Sequence, residues 1–210
     1  MTDTPFDDSA TYLGEPGRDT SPRELTDPKT LRALTHPVRL ALLEALTLVG
    51  PLTATAAAVL IGESPTTCSF HFRQLAKYGF VEEAGHGSGR QRPWKLRQIG
   101  MRFSDVHEDP EMTVAAKSLE RMVLERALGR LENFYDTRSG FPKVWQESSG
   151  SYETILQVTV EELQEVKKEF EAIFNRFRDR IHDPARRPAD AVPVEVLLFA
   201  FPMRLPGPVS

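Results

Sequence analysis

Residues 64–80 read SPTTCSFHFRQLAKYGF and hold the chain's single cysteine, a histidine, Phe70, Phe72 and an arginine within a few helical turns. Ser64 is a capping residue, Pro65 suits the first helical position, and Gly79 after Tyr78 supplies a left-handed stop, so the stretch predicts a helix. At helical spacing two stripes separate. Cys68, Phe72, Leu75 and Ala76 form an apolar one; Thr66, Ser69, Phe70, Arg73 and Lys77 form the other. The apolar stripe predicts core. The second predicts an outward face whose hydroxyls can bond base edges or phosphates, whose arginine can take guanine in a bidentate pair, and whose Phe70 can pack on a thymine methyl.

The neighbouring sequence gives this helix a context. Asp27 or Thr26 can cap a short helix from Pro28, and His36 before Pro37 should break it. Pro37 then opens VRLALLEALTLVG, with Val38, Leu42, Leu43 and Leu46 on one stripe, and Thr53 caps TATAAAVLIG, which ends at Gly62. Helices joined by connections as short as Gly62 and Glu63 predict a helix-turn-helix. The period then changes from helical to alternating. FVEEA, the glycine-rich GHGSG and RQRPWKL predict a β-hairpin anchored by Trp94 and Leu96, with Arg90 and Arg92 at its tip. A hairpin in that place is a wing, and its arginines can enter a narrow minor groove.

Charge supports a localised polyanion contact. The chain has 210 residues and a net charge of −4, yet residues 29–97 carry a local +5, leaving −9 elsewhere. One cysteine excludes an internal disulfide. The absence of a long uncharged apolar run, and of a basic start followed by one, predicts a cytoplasmic protein without a membrane partner.

Three stretches, LTHPVRLALLEAL, TATAAAVLIGESPTTCSFHFRQLAKYGFVEE and GRQRPWKL, resemble the winged helix-turn-helix regulators of the ArsR type, in particular an actinobacterial-looking subgroup with an added C-terminal region. The resemblance covers about residues 29–98. It implies a homodimeric transcription regulator, a repressor or an activator, that places Thr66, Thr67, Ser69, Phe70 and Arg73 in the major groove and Arg90 and Arg92 on the wing. His71 and Phe72 fall where the family usually shows His and Leu. Many relatives sense metals through paired cysteines in the preceding helix; TATAAAVLIG has none, so that route is unsupported.

The expected fold class is α+β. An acidic flexible tail over 1–27 precedes a winged helix-turn-helix domain over 28–100, a long connecting or dimerisation helix over 111–137, and an α/β region over 151–203 for dimerisation or effector binding. In that last region YETILQV reads as a strand, and Thr159 with Glu162 reads as a capping box. A helix striped by Leu163, Val166, Phe170, Ile173, Phe174, Phe177 and Ile181 follows, and VPVEVLLFAF reads as a second strand. Phe170, Phe174, Phe177, Phe199 and Phe201 are expected as core before pocket lining.

Double-stranded DNA is thus the expected partner, together with a second copy and a place for a small-molecule effector. The contact residues are Ser64, Thr66, Thr67, Ser69, Phe70, Arg73, Lys77, Arg90, Gln91 and Arg92. Cys68 reads as a small core residue, His71 as a structural hydrogen bonder, His86 as exposed, and His107, Glu108 and Asp109 as a solvated loop rather than ligands. No cofactor, metal site or catalytic constellation is expected, so the chain does not read as an enzyme. The rival reading is a winged-helix protein-interaction module without sequence-specific DNA binding.

Overall fold

Pro28, Pro37 and Pro65 each stand in the first turn of a helix, where a missing N–H costs nothing, and each follows a side chain that caps that turn. Asp27 accepts from the Thr30 N–H (2.9 Å) and opens α1 (Pro28–Leu34). His36 accepts through Nδ1 from the Val38 N–H (3.2 Å) and opens α2 (Pro37–Val49). Thr53 accepts from the Ala56 N–H (3.1 Å) and opens α3 (Ala54–Ile61); Ser64 accepts from the Thr67 N–H (3.0 Å) and opens α4 (Pro65–Lys77). The computed structural model describes residues 22–85, 92–98, 100–104 and 107–204.

Gly62 ends α3 at φ 71°, ψ 31°, a left-handed conformation that a side chain would strain, and so turns the chain within two residues into Ser64. This tight turn packs α3 against α4, with α2 behind both. Leu31, Leu34, Leu42, Cys68, Phe72 and Leu75 are fully buried at the centre. Beyond α4, β2 (Val81–Glu83) pairs antiparallel with β3 (Trp94–Leu96), Val81 opposite Leu96 and Glu83 opposite Trp94. Leu52, just before α3, exchanges both backbone hydrogen bonds with Trp94 (3.0 and 2.8 Å). The Trp94 ring stacks on Phe72, centroids 5.6 Å apart, which fixes the strand pair to the back of α4.

A second ladder is a feature that period alone does not reveal. β1 (Arg23–Glu24) runs parallel to β4 (Met101–Arg102), and Leu25 is buried. Residues 22–27 therefore depart from the expected free tail: the one β1–β4 ladder, with the Arg23 N–H donating to the Gly100 carbonyl and the Leu25 N–H to that of Arg102, and one core leucine hold them to the domain. The rest of that tail, and His86 with Arg90 and Gln91, lie outside the described residues.

Asp109 accepts from the Glu111 N–H and caps α5 (Pro110–Thr137), which at 28 residues is about 42 Å long at 1.5 Å per residue. Its first half packs on α1 and buries Met112, Ala115, Ala116 and Leu119. Its second half is held by Arg126 and Arg130, which both donate to Glu44 of α2 (2.5–3.1 Å). Leu124, Leu128, Leu131 and Tyr135 stay exposed. The loop His107, Glu108, Asp109 serves this start, since His107 Nε2 bonds the Ser104 carbonyl and Asp109 is the cap.

The chain continues through a turn at Arg138–Gly140, α6 (Lys143–Ser148), α7 (Val160–Asn175), α8 (Asp179–His182) and a turn at Pro184–Arg186. The Thr159–Glu162 capping box at the head of α7 has both of its hydrogen bonds. The two strands expected around α7 are not formed: residues 152–158 and 192–201 are neither helix nor strand. A strand exists only with a partner, and neither segment has one. The aromatic core expected there is also absent: Phe174, Phe177, Phe199 and Phe201 are exposed, and Phe170 is half-buried. Helices with small two-stranded ladders make the fold class α+β.

Candidate nucleic-acid interface

The two faces of α4 separate as its spacing requires. Cys68, His71, Phe72 and Leu75 are buried, while Thr66, Phe70, Arg73 and Lys77 are exposed and Thr67 and Ser69 half-exposed. Phe70 is 51% exposed, although an aromatic ring gains from burial, and it touches the buried His71 ring edge-on (centroids 5.1 Å). Arg73 has no ion pair among the described residues, and Lys77 lies over the Tyr78 ring at 5.8 Å. This face is therefore a set of donors and one aromatic, with its cations uncommitted to any acid.

Ser64 and Thr67 also serve the start of the helix: the Ser64 hydroxyl oxygen accepts the Thr67 N–H and shares a further hydrogen bond with the Thr67 hydroxyl (2.8 Å). The strand pair is also less positive than its sequence suggests. Arg92 donates to Glu83 (2.6 Å), which raises the guanidinium's pKa, first through that hydrogen bond; Lys95 and Arg97 both face Glu82 at 3.4 and 3.3 Å. Arg92 precedes β3 by two residues, while Arg90 and Gln91 lie outside the described residues. Among the basic residues behind the local +5, Arg92, Lys95 and Arg97 of the strand pair and Arg32 of α1 face carboxylates, whereas Arg73 and Lys77 on α4 have no ion pair among the described residues.

Beneath α4 is a cluster that spacing did not single out as a unit. The His36 and His71 rings lie 4.4 Å apart, and the Arg39 guanidinium belongs to the same group. His71 Nδ1 and Arg39 Nε are buried without a hydrogen-bond partner, so the structural hydrogen bond expected of His71 is not made at Nδ1. Burial pushes both imidazoles below the ordinary histidine pKa, and Arg39 adds to the shift at each, while Glu63 opposes it. Burial likewise raises the Cys68 thiol, as suits a core cysteine and not a reactive thiolate.

Residues 34–84 match the family model of the helix-turn-helix domain. That span opens at the end of α1 and closes after β2, so it takes in the α4 face, its cap and the histidine pair. A helix-turn-helix domain supports DNA as a partner and DNA-binding regulation as the general role. No curated protein matches it. Among the described residues no group of His, Cys, Asp or Glu is arranged to hold a metal ion, and no helix is long and apolar enough to cross a membrane.

Proposed function

We propose that the chain is a homodimeric transcription repressor of the ArsR winged-helix type, reading a palindromic operator with α4 of each copy in successive major grooves. Thr66, Thr67, Ser69, Phe70 and Arg73 meet base edges in this reading, and Lys77 meets the phosphates. The β2–β3 pair acts as the wing through Arg90, Gln91 and Arg92. Residues 28–100 form the reading domain, 111–137 pair the two copies, and 151–203 dimerise or take an effector. The observation that carries the reading is the division of α4 into a buried face and a face of exposed hydroxyls, Phe70, Arg73 and Lys77. The exposed Leu124, Leu128, Leu131 and Tyr135 of α5, at three- and four-residue spacing, support pairing along that helix.

Selection of bound genomic fragments followed by gel-shift assays tests it. The reading expects one enriched palindrome with half-sites about 34 Å apart or a multiple of that. Arg73→Ala should lower affinity for it about 10- to 100-fold, as expected for one bidentate base contact. Arg92→Ala should act more weakly, because Glu83 already holds that guanidinium. No enriched sequence, or salt-insensitive binding, would favour the protein-interaction reading instead.

A further inference from the structure

The exposed face of α4 is connected through one buried ring to the start of α2. Phe70 on that face meets His71 edge-on (centroids 5.1 Å), and the His71 ring rests on that of His36 (4.4 Å), which caps α2 by accepting the Val38 N–H (3.2 Å). His71 is 8% exposed, and its Nδ1 has no hydrogen-bond partner. A pair of phenylalanines would fill the same contact without leaving a polar nitrogen unsatisfied. What two imidazoles add is a response to protons near neutral pH.

The charged and titratable groups facing the pair come from each neighbouring element. Arg39 of α2 acts on both rings and has no ion pair among the described residues; its Nε is buried and unpartnered as well. Glu63, in the turn between α3 and α4, acts on both rings in the opposite sense and is exposed, and Tyr78 at the end of α4 lies near Arg39. A proton on His71 therefore creates a buried cation with no acceptor at Nδ1, against a second imidazole and close to a guanidinium. A proton on Nδ1 of His36 removes the acceptor that opens α2. Parting the rings relieves both. Because α2 packs on α4 and Phe70 touches His71, such parting moves the exposed face.

We propose that the His36–His71 contact is a proton switch on operator binding: neutral rings hold α4 in its reading position, and proton uptake parts them, displaces Phe70 and releases the operator. The switch rests on the DNA-binding reading above and adds a regulator of that same site. It also runs against simple electrostatics. Added positive charge strengthens contact with phosphates, so DNA of unrelated sequence should be held as well or better at low pH while the operator is lost.

Gel-shift titrations of the full-length chain between pH 5.5 and 8, at constant salt, test it with the operator selected above and a scrambled duplex, and circular dichroism at each pH follows folding. Operator affinity should be constant at the upper end and fall below about pH 6.5, by up to about tenfold per pH unit for each proton taken up. The scrambled duplex should lose nothing. His36→Asn combined with His71→Gln should match the parent at pH 8 and keep that affinity at pH 5.5. A parent that loses no affinity, a loss shared by the double variant or by the scrambled duplex, or a loss that only tracks the helical signal overturns the switch and leaves the DNA-binding reading standing. No preference for the operator at pH 8 overturns both. Linkage supplies a check without substitution: a proton that opposes the operator must itself be opposed by the operator. NMR titration of the histidine rings in the parent should show lower pKa values for His36 and His71 with operator bound, and unchanged or raised values would overturn the switch.

Discussion

The His36 imidazole caps α2 through Nδ1 while its ring rests 4.4 Å from that of His71 in α4, so one ring joins the start of one helix to the buried side of another. The cap works only when Nδ1 is unprotonated, because a protonated Nδ1 presents a hydrogen to the Val38 N–H it must accept from. A cation there would also stand at a helix N-terminus, the unfavourable end of the dipole.

A pH dependence follows. Both histidines are held below their ordinary pKa, first by burial, with Arg39 acting on each and His36 on His71; Glu63 pulls the other way, and Tyr78 lies near Arg39. The unfolded chain therefore binds protons more readily than the folded one. Stability is complete above the ordinary histidine pKa of about 6.5, falls as the pH drops below it, and levels off below the folded-state values. Urea unfolding of the full chain between pH 5 and 8 should show this slope. His36→Asn combined with His71→Gln, which keeps a cap acceptor and removes both titrating rings, should flatten it; an unchanged slope would assign the effect to other groups.

Phe72 predicts a core cost. It is fully buried and stacked on Trp94, so Phe72→Ala should destabilise by about 3–5 kcal/mol, enough to unfold a marginal domain. Phe72→Leu, with much of the volume kept, should cost less than half of that. Equal losses in chemical unfolding for the two variants would show that the aromatic stack, rather than the filled volume, matters at this site.

Ser64 separates capping from DNA contact. Ser64→Ala should cost about 1 kcal/mol through loss of the bond to the Thr67 N–H. Ser64→Asp keeps a cap acceptor but adds a negative charge beside the proposed DNA face, so its melting temperature should stay close to that of the parent while its operator affinity drops. Parent-like operator affinity in Ser64→Asp would place the helix start away from the phosphates.

Much of the helix-turn-helix region was legible because its signals are local. Asp27, Thr53 and Ser64 cap the helices they precede, as Thr159 does for α7 farther on, and Gly62 supplies the turn between α3 and α4. His36 was legible as a helix break before proline but not as a cap, since that role depends on which ring nitrogen reaches the Val38 N–H. The β1–β4 ladder spans two residues on each side, too short to show any period, and joins residues 78 positions apart in the chain. Strand register decides that Glu83 meets Arg92 and that Glu82 meets Lys95, so a count of basic residues overstated the charge free for DNA. At the C-terminus the apolar run VPVEVLLFAF is plain in the sequence, but a strand also needs a paired neighbour, and neither that run nor residues 152–158 has one.

In the proposed reading the exposed face of α4 binds DNA through cations left unpaired by the fold. The salt dependence of operator binding by the parent chain and by Lys77→Ala tests this, with the slope of log affinity against log salt as the readout. The parent should show a steep slope and Lys77→Ala a slope shallower by about one, as loss of one phosphate contact requires. Identical slopes for the two proteins, or no slope in either, would contradict it.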